Sequence, residues 1–347
     1  MSNYIINYMQ NRLPRLVNIW LFSLAVIVLC MIIVGGLTRL TGSGLSMVDW
    51  KLIMGIVPPL SQADWIQLFE DYKQYPEYQI KNVNMTLDGF KYIFWWEYGH
   101  RILGRVIGIV FILPFLFFFI NKCFSRSENI FFVILLLLGA IQGLIGWWMV
   151  KSGLDINPYV SHIRLAVHLI FAQIILSIIS YLLLKRLISE KYQVVNANHK
   201  VTFIIFNLII FFTVIYGAFM AGLDAGQSFN TWPKMGETFI PENLFFWEER
   251  LFGIMDNSVF IHFFHRILAY CSIGLVLFIY LFQKKYIQNK SQQIHLLIIC
   301  LLVLTQMLIG ILVVLTKVNV SLGSLHQVIG TMIFILSSSY TLNILNR

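Results

Sequence analysis

Eight apolar runs, each long enough to cross a bilayer, fall near residues 18–38, 99–120, 130–150, 161–184, 201–222, 260–283, 294–316 and 322–345. Hydrocarbon offers backbone N–H and C=O groups no solvent partner, so runs of this length must be helices. Composition agrees. Hydrophobic residues make up 58% of the chain and charged residues 12%, about half the charge of a soluble domain. The expectation is an all-α integral membrane protein. Arg12 and Arg15 precede an apolar stretch from Ile19 to Leu37 that is too long for a signal-peptide core and is followed by no small-residue cleavage site, so it reads as an uncleaved first span. The four cysteines, at 30, 123, 271 and 300, lie in or beside apolar stretches and form no C-x-x-C pair, which argues against a disulfide framework, a zinc site or thiol chemistry.

The net charge of +9 needs no nucleic-acid partner, because its distribution accounts for it. With the N-terminus inside, the inner segments hold twelve Lys and Arg against two acids, Glu128 and Glu190. The outer segments and helix mouths hold thirteen against fourteen. That bias places both termini in the cytoplasm.

The runs repeat. Span one ends in Gly35-Gly36-Leu37-Thr38-Arg39 and span five in Gly217-Ala218-Phe219-Met220-Ala221, each followed by a glycine-rich outer turn carrying a tryptophan, Trp50 or Trp232. Span two opens with Gly99-His100-Arg101-Ile102-Leu103, span six with Phe264-His265-Arg266-Ile267-Leu268. Span three carries Gln142-Gly143-Leu144-Ile145-Gly146, span seven Gln306-Met307-Leu308-Ile309-Gly310. His168 and His326 stand near the outer ends of spans four and eight. The order recurs intact, so the chain reads as two tandem four-helix bundles, 1–190 and 191–347. Four spans per half return the chain to the same side, which makes the repeats parallel about an axis along the membrane normal.

Two outer loops are long. In the first, about 39–98, Ser61-Gln62-Ala63-Asp64 reads as a capping-box helix start with Trp65, Leu68, Phe69 and Tyr72 on one face. Such a helix lies on the membrane surface or covers a site beneath it. The other long loop, about 223–259, turns acidic at Glu248, Glu249 and Asp256.

Where the first loop meets span two stands Trp95-Trp96-Glu97-Tyr98-Gly99-His100-Arg101. Glu97 and His100, three residues apart, share a helix face at the membrane entrance, where ionisable groups are functional candidates. The competing reading is an interfacial cluster, with indoles in the headgroup belt and charges snorkelling outward. The repeat sorts the eight histidines. His199 and His295 sit at inner helix ends and read as solvated; His162 and His262 lie at outer mouths without a histidine counterpart. His100, His168, His265 and His326 form two matched pairs, each from the second and fourth helices of its half. One such histidine alone would read as a packing residue. Four at matched positions, with flat apolar walls around them, suit axial ligation of haem iron. Arg101 and Arg266 each follow a ligand candidate and read either as partners of haem propionates or as interfacial anchors. Arg164, one turn before His168, needs a partner such as Glu97 or a propionate. Glu97 aligns with His262, so only the first half has a carboxylate one turn from its ligand. That asymmetry places chemistry in the first half.

These stretches resemble the haem A synthases, and more closely their alphaproteobacterial and mitochondrial branch. The resemblance rests on GGLTRLTGSGLSMVDWK (35–51), EYGHRILGRVIG (97–108), GWWMVKSGL (146–154), RLAVHL (164–169), GAFMAGLDAGQSFNTWPKMG (217–236), HRILAY (265–270) and LGSLHQVIGT (322–331), spread over nearly the whole chain. The paired outer-loop cysteines of the other branch are absent. His162-Ile163 depart from the pattern before Arg164, where tyrosine is common in place of Ile163.

The resemblance implies oxidation of a ring methyl of haem O to a formyl group, giving haem A for cytochrome c oxidase. It implies a resident haem b ligated by His265 and His326, a substrate haem flanked by His100 and His168, and a catalytic Glu97. It implies haem O synthase (protohaem farnesyltransferase) and cytochrome c oxidase assembly as partners, with an electron donor that the residues do not identify, and it admits a homo-oligomer. With no transit peptide visible, a bacterial inner membrane is expected. Two other classes fit the composition. A di-haem electron-transfer protein oxidising quinol predicts two permanent haems and leaves Glu97 unexplained. A transporter built from parallel repeats predicts mid-membrane polar residues, whereas the ionisable groups here gather at the outer ends.

Overall fold

The computed structural model describes residues 2–49, 54–187, 196–242, 244 and 253–345. Trp50, Lys51, Lys191, Glu248 and Glu249, and the 190/191 boundary between the halves, lie outside them. Nine α-helices are present among the described residues: α1 (Ser2–Leu40), α2 (Gln62–Lys73), α3 (Leu87–Ile120), α4 (Arg126–Lys151), α5 (His162–Leu187), α6 (Ala197–Gly222), α7 (Ser258–Phe278), α8 (Lys290–Leu315) and α9 (Val320–Leu345). All but α2 are long and apolar enough to cross a membrane, and no strand occurs among the described residues. The apolar part of α1 begins at Leu13.

The second span corrects the expected boundary. Thr86 caps α3 by accepting from the Gly89 N–H at 3.2 Å, and the helix then runs unbroken for 34 residues. At 1.5 Å per residue it is about 51 Å long, well beyond a hydrocarbon core of about 30 Å. Its first turns therefore stand clear of the apolar layer, and Trp95–Arg101 lies inside the helix rather than at its start. Helix α2 packs on this extension. Ser61 and Asp64 form the expected capping box. Trp65, Phe69 and Tyr72 bury against Phe90, Ile93 and Phe94 of α3, so the amphipathic helix covers a protein surface.

Helices α1, α3, α4 and α5 contact one another in a ring, as do α6, α7, α8 and α9. The first set closes around Trp20, whose indole donates to the Val110 carbonyl at 2.8 Å among Phe111, Phe118 and Phe132. The second closes around Phe203, Phe206, Leu296 and Ile299. Between the sets, α5 meets α6 and α9, and α1 meets α9. Polar contacts pin this seam. The Gln327 amide donates to the Ile32 carbonyl at 3.1 Å, Gln173 donates to Thr331 Oγ1 at 3.2 Å, and Arg39 pairs with Asp224 at 3.0 Å. His162 explains its own oddity here. It is buried at the start of α5 directly against Gly222, where an added Cβ would overlap it, with Nε2 3.6 Å from Asp256.

Candidate haem sites

Each of the four matched histidines rests on a glycine of the preceding span. A Cβ added at Gly35 would come within 3.1 Å of His100 Nε2; at Gly146, within 3.0 Å of His168 Cε1; at Gly217, within 3.3 Å of His265 Cε1; at Gly310, within 2.9 Å of His326 Cε1. The four glycines are repeat-related, like the histidines they carry. A Cβ there would crowd each imidazole, which would have to give way by a few tenths of an ångström, so the absence of a Cβ shapes the site.

Two glutamines complete the frame. Gln142 and Gln306 donate to the backbone carbonyls of His168 and His326 at 3.0 and 2.9 Å. Such interhelical bonds tie the third helix of each half to the fourth at ligand level. Both glutamines stood in the repeat motif, yet only the structure shows what they hold. The Gln142 amide also reaches His168 Nδ1 at 3.2 Å.

In the second half, the His265 and His326 ring centroids lie 6.5 Å apart with their planes inclined at 69°. Two imidazole nitrogens bound about 2 Å either side of one metal ion place ring centres roughly 6 Å apart, so the residues present fit a bis-histidine iron. Nδ1 of both rings is buried and has no hydrogen-bond partner among the described residues, although the Thr213 and Gln306 backbones lie beside them. No cluster of three His, Cys, Asp or Glu occurs among the described residues. A ligand pair serves a metal whose remaining positions a porphyrin fills. In the first half, His100 and His168 lie within electrostatic range of each other.

The arginines following His100 and His265 are held by loops. Arg101 donates to the carbonyls of Met47 at 2.7 Å and Asp49 at 3.0 Å, and pairs with Glu97 Oε1 at 2.6 Å. Arg266 donates to the carbonyls of Phe229 at 3.4 Å, Thr231 at 3.0 Å and Lys234 at 3.3 Å, and its Nε donates to His262 Nε2 at 3.1 Å. With Gly35 aligned on Gly217, Met47 falls on Phe229 and Asp49 on Thr231. Both guanidiniums thus grip the same two positions of the outer turn. The other oxygen of Glu97 accepts from Ser46 Oγ and the Met47 N–H, each at 2.8 Å, which leaves the carboxylate 4% exposed. Arg164 does not reach Glu97. Its Nη1 donates to the Trp148 carbonyl at 2.8 Å and its guanidinium lies 4.6 Å over that indole.

The inner histidines differ from the expectation. His199 is fully buried, with its ring nitrogens 3.1 Å from Gln283 Oε1 and 3.0 Å from the Tyr340 hydroxyl. His295 is buried as well, its ring edge-on to the same Tyr340. Both are buried packing residues rather than solvated ones: Gln283, at the end of the sixth span, and Tyr340 of α9 satisfy His199, and His295 packs against the same tyrosine.

Fold and site together define a class: a helical membrane protein with eight candidate spans and paired histidines at repeat-related positions. The family model COX15-CtaA, described as cytochrome oxidase assembly protein, matches residues 18–338, and the chain belongs to that family. It is 40% identical to the Heme A synthase of Flavobacterium psychrophilum over 329 residues, 94% of this chain and 96% of the relative. The Heme A synthase of Nitrosospira multiformis is 40% identical over 319 residues, 91% and 90% of the two chains. That of Bartonella henselae is 36% identical over 348 residues, 98% and 95% of the two.

Proposed function

We propose that this chain converts haem O to haem A by oxidising a ring methyl group to a formyl group, an oxidoreductase reaction in the membrane that supplies cytochrome c oxidase. The observation that carries the reading is the near-full-length similarity to proteins named Heme A synthase, through a matched region that contains all four histidines. His265 and His326 hold a resident haem b, and their ring separation supports that role. When bound, that haem supplies one-electron transfer.

His100 and His168 flank the substrate haem in the first half, positioned by Gly35 and Gly146. Glu97 is the catalytic carboxylate of that half. It holds or releases charge as the methyl is oxidised, and Ser46, Met47 and Arg101 fix its two oxygens. Arg101 and Arg266 act on their haems by holding the outer turn over each ligand. Haem O synthase and the oxidase assembly machinery are the partners this reading entails. The decisive experiment is expression with a source of haem O, followed by pigment extraction. Haem A should appear. A protein carrying two permanent haems and producing no haem A would establish the electron-transfer alternative.

The orientation follows from charge. The inner loops hold Lys122, Arg126, Lys185, Arg186, Lys284 and Lys285, a bias that supports cytoplasmic termini and histidines toward the outer face, in what we take to be a bacterial inner membrane. A reporter fused after Lys285 should report cytoplasm, and one inserted within 62–80 periplasm. The reverse pattern would invert every site.

A further inference from the structure

Arg101 and Arg266 are engaged by loop carbonyls, so the carboxylate edge of a substrate tetrapyrrole needs other cations. The outer end of the first half supplies them. A cavity of about 350 Å³ between α4 and α5 is lined by Trp147, Trp148, Lys151, Ser152, Asp155 and Arg164. That is within the size range of small-molecule sites. It adjoins the candidate substrate histidine: Gly146, immediately before Trp147 on α4, lies against His168, and Arg164 stands one turn before His168 on α5. Lys151 Nζ lies 5.4 Å from the Trp147 ring. Among the described residues neither Lys151 nor Arg164 is paired with an acid, and Asp155 is exposed at the rim.

Tryptophan and lysine at a membrane interface commonly form a headgroup belt. Two observations point past that. The Arg164 guanidinium is held at the cavity by the Trp148 carbonyl at 2.8 Å and lies 4.6 Å over that indole, with its remaining N–H groups unassigned. The repeat also supplies an internal control. With Gly146 aligned on Gly310 and His168 on His326, Trp147, Trp148, Lys151 and Arg164 fall on Ile311, Leu312, Leu315 and Leu322. Lys317 comes only after α8 has ended. A belt would serve both halves alike; a substrate mouth belongs to one.

The geometry points to this cavity as the docking site for the carboxylate edge of the substrate tetrapyrrole, with Lys151 and Arg164 as its charge partners and the two indoles as its flat wall. Charge-assisted bonds at a partly desolvated rim orient the ring so that one edge faces outward, while indole faces offer apolar area to a planar ligand. The inference rests on the haem O reading above.

The test uses the haem-b-loaded full chain in nanodiscs, titrated with metal-free protoporphyrin IX and with its dimethyl ester, binding being followed by porphyrin fluorescence. Wild type should bind the diacid at least tenfold more tightly than the ester. The pair Lys151→Met with Arg164→Met should abolish that preference and leave ester affinity unchanged. The pair Lys151→Arg with Arg164→Lys should keep it, which controls for folding. Persistence of the preference in the methionine pair, or its absence in wild type, overturns the proposal. So does loss of the preference in phosphatidylglycerol nanodiscs but not in phosphatidylcholine, which would assign the cavity to lipid phosphate. The outcomes separate from those for the activity. Haem A production with an unchanged diacid preference in the methionine pair removes the docking site alone. A preference lost in that pair, without haem A production by wild type, removes the activity alone.

Discussion

The two halves use the same parts to place a pair of imidazoles and different parts to surround them. Glycine under each matched histidine, glutamine on the backbone carbonyl of the second histidine, and arginine on the outer turn recur at matched positions. At the residue three before the first ligand the halves part. Glu97 binds Arg101 in one and His262 binds Arg266 in the other. Both keep the arginine in place, one through a carboxylate and the other through an imidazole. At the mouths, Trp147, Trp148, Lys151 and Arg164 stand opposite aliphatic residues. The comparison teaches that the two halves share one frame for placing a histidine pair, while the first half alone surrounds its pair with a carboxylate, two cations and two indoles, the asymmetry on which the proposed division of labour rests.

The sharpest way to break this comparison is to remove ligands half by half. His265→Ala or His326→Ala should abolish the resident b-type absorption spectrum, because an apolar cleft has no substitute axial donor. His100→Ala and His168→Ala should leave that spectrum intact and abolish haem A formation. A normal six-coordinate low-spin spectrum in both second-half variants would overturn the assignment.

The difference at Glu97 predicts the next effect. Glu97→Gln preserves shape and one hydrogen bond to Arg101 while removing ionisation. Haem A output per unit of haem-loaded protein should fall by on the order of 10²-fold, the usual scale for a lost acid–base group, with the resident spectrum unchanged. His262→Gln, the matched change in the other half, should leave turnover within a few-fold of wild type. Output near wild type in Glu97→Gln, or a loss confined to protein yield and haem content, would reduce Glu97 to a clamp on Ser46 and Met47.

How much of this could be read from the chain differs by kind of interaction. Span number follows from hydropathy alone, since the hydrocarbon thickness fixes the length of each run. The four ligand candidates followed from the repeat, because matched histidines leave a visible spacing. The grip of Arg101 on Met47 and Asp49 left no trace, since backbone carbonyls are present at every position. The burial of His199 was hidden because Gln283 and Tyr340 are distant in sequence, and an inner-end histidine has the same local pattern whether wet or dry. The start of α3 was missed because Asp88, Lys91 and Glu97 interrupt the apolar pattern, although Thr86 was an available cap.

The smallest expected effect separates the two outer loops by pH. Glu77, beneath α2, is 6% exposed and accepts from the Tyr72 hydroxyl at 3.0 Å. Burial pushes its carboxyl up from 4.5 to about 7. The Tyr72 hydrogen bond and the charges of Lys81 and Arg39 oppose the rise, and the nearby Glu97 charge adds to it. A carboxyl that holds its proton more tightly folded than unfolded stabilises the fold fully below pH 4.5, and that stability is lost as pH climbs toward 7. The shift corresponds to about 3 kcal/mol at most. The described acids of the other long loop, Asp224, Glu237, Glu242 and Asp256, are all exposed, so that loop serves as the reference. Hydrogen exchange over residues 62–81, corrected for intrinsic rates, should therefore show opening growing easier between pH 4.5 and 7, while residues 225–242 stay level. Glu77→Gln keeps an acceptor for Tyr72 without a titrating charge, so it should flatten the first profile and leave the second untouched. A slope that persists in Glu77→Gln would assign the pH response to another group at this mouth.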